Sequence, residues 1–127
     1  MTTLKNVLII NALSSGATGL ILAIFPSYIA GLFGAAQTMP FVAVGIFLII
    51  FAAIVFTQGR KNPPSTGWIK LIIVLDTLWV IESLMIIAAE MFGLTAIGYY
   101  SIGAVAFWVA LMAFLQLKGL RQLNIAG

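Results

Sequence analysis

Acidic side chains in a very apolar chain are the first place to look for chemistry. The 127 residues contain only three acids, Asp76, Glu82 and Glu90, and all three belong to the third of four long apolar segments. An ionised acid near the centre of a bilayer costs roughly 2.5–3.5 kcal/mol on insertion scales. Glu90 ends its segment, where its charge can reach water, but Asp76 and Glu82 lie inside. Two acids at that depth predict a polar site within a membrane.

Polar residues of the first apolar segment match these two acids in depth. With a helical rise of about 1.5 Å per residue, Asn11 is expected at the level of Asp76, and Thr18 at the level of Glu82. Helical periodicity also places Ser15 on the same face of the first helix as Asn11 and Thr18. The sequence therefore predicts two polar layers between the first and third helices.

The third helix contributes further candidates beside its acids. Helical periodicity places Trp79 and Ser83 on the face of Asp76, with Glu82 to its side. Trp79 and Trp108 both fall near mid-membrane, where either could wall a ligand pocket, although a Trp at that depth more often packs in a core. The predicted ligand-binding residues are Asn11, Ser15, Thr18, Asp76, Trp79, Glu82 and Ser83. The simpler interpretation is that Asp76 pins two helices together through a hydrogen bond to Asn11.

Composition excludes several classes of protein. Hydrophobic residues make up 63% of the chain and charged residues only 7%, whereas soluble domains carry roughly 25% charged residues. The absence of Cys and His excludes disulfides, thiol chemistry and the usual zinc and haem ligands. The six Lys and Arg residues form no stripe that could follow a nucleic-acid backbone. We expect no catalytic residues, no metal, no cofactor and no nucleic-acid partner, and so not an enzyme.

The elements that must position the candidate residues are four membrane-spanning helices in a single domain, residues 1–127. No charged residue occurs between Lys5 and Arg60, which is room for two spans of roughly 20 residues each. The predicted helices cover about residues 5–25, 40–58, 68–90 and 96–117. We expect a short helix over 26–33 and a polar cytoplasmic loop over 59–67, where Ser65 or Thr66 can cap the next helix.

The distribution of the basic residues predicts an orientation. All six lie near the N-terminus, in the loop between the second and third spans, or near the C-terminus. Because cytoplasmic segments carry the excess of Lys and Arg, both termini should be cytoplasmic. The predicted fold is an all-α, integral membrane four-helix bundle in which the first and third helices are adjacent.

Two stretches of the chain resemble small four-span bacterial membrane proteins that have no established activity. The first runs Asn11-Ala-Leu-Ser-Ser-Gly16 and leads to Phe25-Pro26, and the second is Leu75-Asp-Thr-Leu-Trp79. The resemblance implies the fold and a multi-pass location in the bacterial inner (plasma) membrane, but no chemistry. Small multidrug-resistance transporters are of similar size, but they depend on a glutamate in the first helix, which is absent here.

These patterns together favour a non-enzymatic membrane protein whose polar residues bind a small lipophilic or cationic ligand, or a lipid. One alternative is a proton-coupled transporter or channel subunit that acts as a homo-oligomer, because four helices enclose little volume. Another is an accessory subunit whose partner covers Glu82. In each case the lipid bilayer is the principal partner of the chain.

Overall fold

The computed structural model describes the backbone of residues 2–61, 65–90 and 93–126, and the side chains of 4–61, 65–90 and 93–121. Within these ranges the chain forms helices and no strand. The helices are α1 (Thr2–Ile24), α2 (Pro26–Phe33), α3 (Met39–Arg60), α4 (Thr66–Ala88) and α5 (Ala96–Ala126). All except α2 are long and apolar enough to cross a membrane, which suggests a multi-pass membrane protein.

The last helix is longer than its apolar sequence predicts. It continues to Ala126 instead of ending near residue 117. The basic residues Lys118 and Arg121 favour helix and so do not end it, and Gly119 allows a close contact with the Leu4 side chain. A 31-residue helix extends about 46 Å, against a hydrocarbon thickness of about 30 Å, so α5 projects beyond the apolar layer.

The short helix predicted over residues 26–33 is confirmed. Pro26 occupies its first position, where a missing N–H costs nothing and the fixed φ suits a helix. The helix ends at Gly34, whose φ of 72° is a left-handed conformation that glycine adopts most readily. The N–H of Ala35 then donates to the carbonyl of Ala30 at 2.9 Å. This turn reverses the chain between α1 and α3.

The four long helices form a ring in which α1 packs on α3, α3 on α4, α4 on α5, and α5 on α1. Among the described residues no Cα atom of α1 lies within 8 Å of one in α4. The predicted adjacency of the first and third spans is therefore wrong, since these two helices lie diagonally. The cause is the tight packing of α1 on α3, where a Cβ at Gly19 would lie 2.7 Å from the Gly45 carbonyl oxygen.

The two ends of the bundle differ in packing. We call the end that carries the start of α1, the α3–α4 connection and the end of α5 the loop end, and the opposite end the turn end. At the loop end an apolar plug of Leu4, Leu8, Val55, Ile69 and Ile72 has at most 1% of any side chain exposed. All six basic residues lie toward this end, because the antiparallel helices bring their segments together.

The outer surface of the bundle is apolar, as expected of a surface that faces lipid. Leu13, Ile24, Phe107 and Phe114 are each more than 60% exposed. In water, such a surface would promote aggregation. In a bilayer, the lipid chains would cover it.

At the loop end, a buried amide closes the connection between α3 and α4. The Gln58 side chain is 4% exposed, and its Oε1 accepts a hydrogen bond from the Ser65 N–H at 3.1 Å. Ser65 occupies the N-cap position of α4, as predicted, but its side chain makes no capping hydrogen bond. The predicted side-chain cap is therefore wrong at Ser65, where Gln58 instead anchors the start of α4.

At the turn end, a threonine joins the two helical hairpins. Thr95 Oγ1 donates to the Leu32 carbonyl at 2.6 Å, and the Thr95 N–H donates to the Phe33 carbonyl at 2.9 Å. The same hydroxyl accepts the Gly98 N–H at 3.1 Å, as an N-cap residue does. We call this set of bonds the Thr95 clamp. It holds the end of α2 against the start of α5.

Candidate functional site

The centre of the bundle contains a closed set of three polar side chains from three helices. Asn11 on α1 donates from Nδ2 to Asp76 Oδ2 at 3.1 Å and to Gln116 Oε1 at 2.8 Å. Gln116 on α5 donates from Nε2 to the same Asp76 oxygen at 2.9 Å. None of the three is more than 4% exposed. We call this set the polar triad. It supplies the hydrogen bonds that a buried carboxyl needs.

The polar triad confirms the predicted pairing of Asn11 with Asp76 and adds a member that sequence analysis missed. Gln116 lies two residues before Lys118, so the sequence assigns it to the polar end of the last span. The helix continues well past it, which places its amide inside the bundle. The available signal was its spacing of four residues from the buried Met112, which puts Gln116 on the inner face of α5.

The hydroxyl groups of α1 lie beside the polar triad but contact Asp76 through no hydrogen bond. Ser15 Oγ donates to Asn11 Oδ1 at 3.1 Å, which orients the amide so that its Nδ2 faces Asp76. Thr18 Oγ1 donates to the Ser14 carbonyl of its own helix at 2.9 Å. The predicted second layer of Thr18 and Glu82 is therefore not hydrogen-bonded.

A small cavity of about 40 Å³ adjoins the polar triad. Its polar walls are Ser14, Ser15, Thr18 and Asp76, and its aromatic walls include Trp79 and Trp108. We call it the inner chamber. The two mid-span tryptophans thus both border this chamber.

A much larger cavity of about 610 Å³ lies between the two hairpins toward the turn end. We call it the outer cavity. Most of its wall is apolar, from residues such as Leu22, Phe41, Val44, Ile86 and Ile102. Its lining comes from both hairpins, whereas at the loop end the buried side chains of the apolar plug fill the space between the helices.

The remaining predicted site residues line the outer cavity. Glu82 is an exposed side chain on its wall, and Ser83 is a buried one at 5% exposure. Ser101 of α5, which sequence analysis did not select, lies on the same wall. Glu82 is the one charged residue among the described side chains of this lining. The predicted single site is thus divided into a buried polar triad and a wider cavity.

The inner chamber and the outer cavity share part of their walls. Thr18, Trp79 and Val105 border both. These three residues, which we call the partition, come from α1, α4 and α5, so a molecule in the outer cavity would rest against the same side chains that enclose Asp76.

This arrangement can hold a ligand or a proton. Within the described residues no group of three His, Cys, Asp or Glu side chains is close enough to bind a metal ion. A mostly apolar cavity of this size, with a few polar groups on its wall, is typical of a site for a small molecule.

Comparison of the chain with protein-family models, with curated proteins and with solved structures finds no match. Functional inference therefore depends on the geometry of the two cavities and the residues that line them.

Proposed function

We propose that the protein is a non-enzymatic binding protein for a small lipophilic cation, which occupies the outer cavity. The observation that carries the proposal is an apolar cavity of about 610 Å³ in which Glu82 is the one charged residue among the described lining side chains. Small-molecule sites usually measure roughly 300–1,000 Å³ and combine apolar walls with a few polar groups that fix orientation. The apolar part of the ligand would pack against the walls, and its positive charge would pair with Glu82.

The side chains near Glu82 are suited to a cationic or hydrogen-bonding head group. Ser83 and Ser101 line the same cavity and can accept a hydrogen bond from an ammonium group. Trp79 presents an indole ring to the cavity, and a cation over the face of a Trp ring is stabilised by roughly 0.5–2 kcal/mol.

The bilayer is the natural source of such a ligand. Of the neighbouring helix pairs in the ring, α3 and α4 are the most loosely packed, and both contribute to the cavity wall. Glu82 is exposed, and Ile81 and Met85 beside it are 48% and 59% exposed on the lipid-facing surface. A molecule dissolved in the membrane would therefore reach the cavity between α3 and α4 without crossing a polar layer.

The cations at the loop end support a location and an orientation. We assign the loop end to the cytoplasm, because positively charged segments are retained there, and the protein to a bacterial inner membrane. The outer cavity then lies in the half of the bundle that faces away from the cytoplasm.

The test is binding of two ions of similar shape and opposite charge to the purified protein in detergent. Tetraphenylphosphonium should bind, and tetraphenylborate should bind at least about tenfold more weakly, which corresponds to about 1.4 kcal/mol. Glu82→Gln should weaken tetraphenylphosphonium binding by a similar factor, because a desolvated ion pair is lost. Isothermal titration calorimetry measures each affinity.

The matched control is Glu90→Gln, because Glu90 is exposed at the same end but does not line the outer cavity. This variant should bind tetraphenylphosphonium as the unmodified protein does. Equal affinity for the two ions, or equal loss in both glutamate variants, would contradict the proposal.

A further inference from the structure

The inner chamber contains an unmatched set of polar groups. Trp79 Nε1 is the only buried side-chain nitrogen or oxygen of the described residues without a hydrogen-bond partner, although Trp79 lies one helical turn from Asp76. Leaving a buried donor without a partner is unfavourable.

The other polar groups of the chamber can only accept hydrogen bonds. Ser14, Ser15 and Thr18 each use the hydroxyl proton within α1, on the Ile10 carbonyl, the Asn11 amide oxygen and the Ser14 carbonyl.

The Asp76 carboxyl also has acceptor capacity left. Both amide donors of the polar triad go to Oδ2, which leaves Oδ1 available. The chamber therefore presents several hydrogen-bond acceptors.

Water fits this combination in size and in chemistry. A water molecule can donate to two of these acceptors at once, such as Asp76 Oδ1 and a hydroxyl oxygen of α1. A cavity needs about 10–15 Å³ to hold one water, and the chamber has about 40 Å³.

We infer that the inner chamber holds water that donates to Asp76, and that Asp76 exchanges a proton through this water with the turn end of the bundle. In the forward step a hydronium ion transfers a proton to Asp76 Oδ1, which forms an O–H bond and leaves neutral water. The reverse step returns the proton to water and restores the carboxylate. Atoms and charge balance without any other reactant.

The direction of exchange follows from the packing around the chamber. On one side the partition of Thr18, Trp79 and Val105 is shared with the outer cavity. On the other side Leu8, Val55 and Ile69 of the apolar plug are 0% exposed. A proton therefore has a path past the partition toward the turn end and a closely packed apolar barrier toward the loop end.

No other titratable group competes for the proton inside the chamber. The side chains that reach Asp76 from α1 and α5 are the neutral amides Asn11 and Gln116, and α3 contributes apolar residues such as Leu48. The next acid on α4 is Glu82, which lines the outer cavity. Protonation of Asp76 thus changes the only charge that the described lining of the chamber holds.

Infrared difference spectroscopy of the intact protein in lipid, during a pH change, tests the inference. We expect a carbonyl band of a protonated carboxyl that appears reversibly and shifts to lower frequency in D₂O. The band should disappear in Asp76→Asn and persist in Glu82→Gln. Absence of an Asp76-dependent band, or a band that D₂O never shifts, would overturn the inference.

A second pair of variants tests the route and remains informative if Asp76→Asn fails to fold. Val105→Phe places a bulkier side chain in the partition. This change should lower, several-fold, the rate at which the carboxyl band shifts after transfer to D₂O. Val74→Phe makes the same change on the lipid-facing surface, where Val74 is 53% exposed, and should leave the rate unchanged. Equal rates in the two variants would show that the proton does not pass the partition. Neither variant depends on whether a ligand binds near Glu82.

Discussion

Asn11 and Asp76 share a hydrogen bond of 3.1 Å across the middle of the bundle, although their helices are diagonal and do not pack against each other. Gln116 on the helix between them donates to the same carboxyl oxygen. The two amides therefore connect three helices through one acid. Toward the loop end the bundle is packed with apolar side chains, and toward the turn end the outer cavity lies between the hairpins.

The first prediction concerns the polar triad as a source of stability. Asn11→Leu should lower the free energy of unfolding by about 1–2 kcal/mol, because it removes hydrogen bonds from a buried carboxyl and a buried amide. Unfolding of the protein in mixed micelles by increasing denaturing detergent measures the change.

Two further variants separate the hydrogen bonds from general effects of the substitution. Asn6→Leu makes the same change at an exposed position of α1 and should alter stability by less than about 0.5 kcal/mol. The double variant Asn11→Leu with Asp76→Leu should cost less than the sum of the single changes, because the two residues are coupled. Strict additivity would show that the bond at the centre contributes nothing.

The second prediction concerns the contact between α1 and α3. Gly19→Ala should destabilise the protein by about 1–3 kcal/mol, because its Cβ would lie 2.7 Å from the Gly45 carbonyl oxygen and 3.0 Å from the Leu48 Cβ. Gly31→Ala is the matched control, since nothing lies within 4 Å of a Cβ at that position. The same unfolding assay should show a larger loss of stability for Gly19→Ala than for Gly31→Ala. An equal loss in the two variants would argue against the close helix contact.

The third prediction concerns the Thr95 clamp. Thr95→Val removes the hydroxyl that bonds to Leu32 and caps α5, and should cost about 0.5–2 kcal/mol. Local opening should appear as faster amide hydrogen exchange at Thr95 and Gly98. Thr77→Val is the control, because the exposed Thr77 hydroxyl bonds only to Ile73 of its own helix. If exchange rises equally in both variants, the clamp does not hold the hairpins together.

The sequence was sufficient to predict the four long helices and the pairing of Asn11 with Asp76, because both depend on local patterns. Apolar length sets the helices, and the rise per residue sets the depth of each polar side chain. Pro26 and Gly34 likewise marked the short helix by their own backbone preferences.

The sequence was not sufficient to predict which helices are neighbours. Small residues such as Gly16 and Gly19 indicate that some helix comes close, but not which one, and α3 occupies that face. For the same reason Thr18 and Glu82 are not hydrogen-bonded to each other, although both line the outer cavity. The role of Gln116 depended on where α5 ends, and helix ends are poorly specified when no proline follows.

The fourth prediction, and the most direct test of the proposed site, uses the natural absence of cysteine. Ser101→Cys places a thiol on the outer cavity wall, and Val55→Cys places one in the apolar plug, where Val55 is 0% exposed. The rate of modification by a cationic and by an anionic methanethiosulfonate reagent is measured for each. We expect Cys modification at position 101 to be faster with the cationic reagent, and we expect the Val55→Cys variant not to react.

Addition of Glu82→Gln to the Ser101→Cys variant should abolish the charge preference, and tetraphenylphosphonium should protect the thiol only when Glu82 is present. This combination would establish an accessible cavity that selects cations through Glu82. Equal rates for the two reagents, or a Ser101→Cys variant as unreactive as Val55→Cys, would contradict the account.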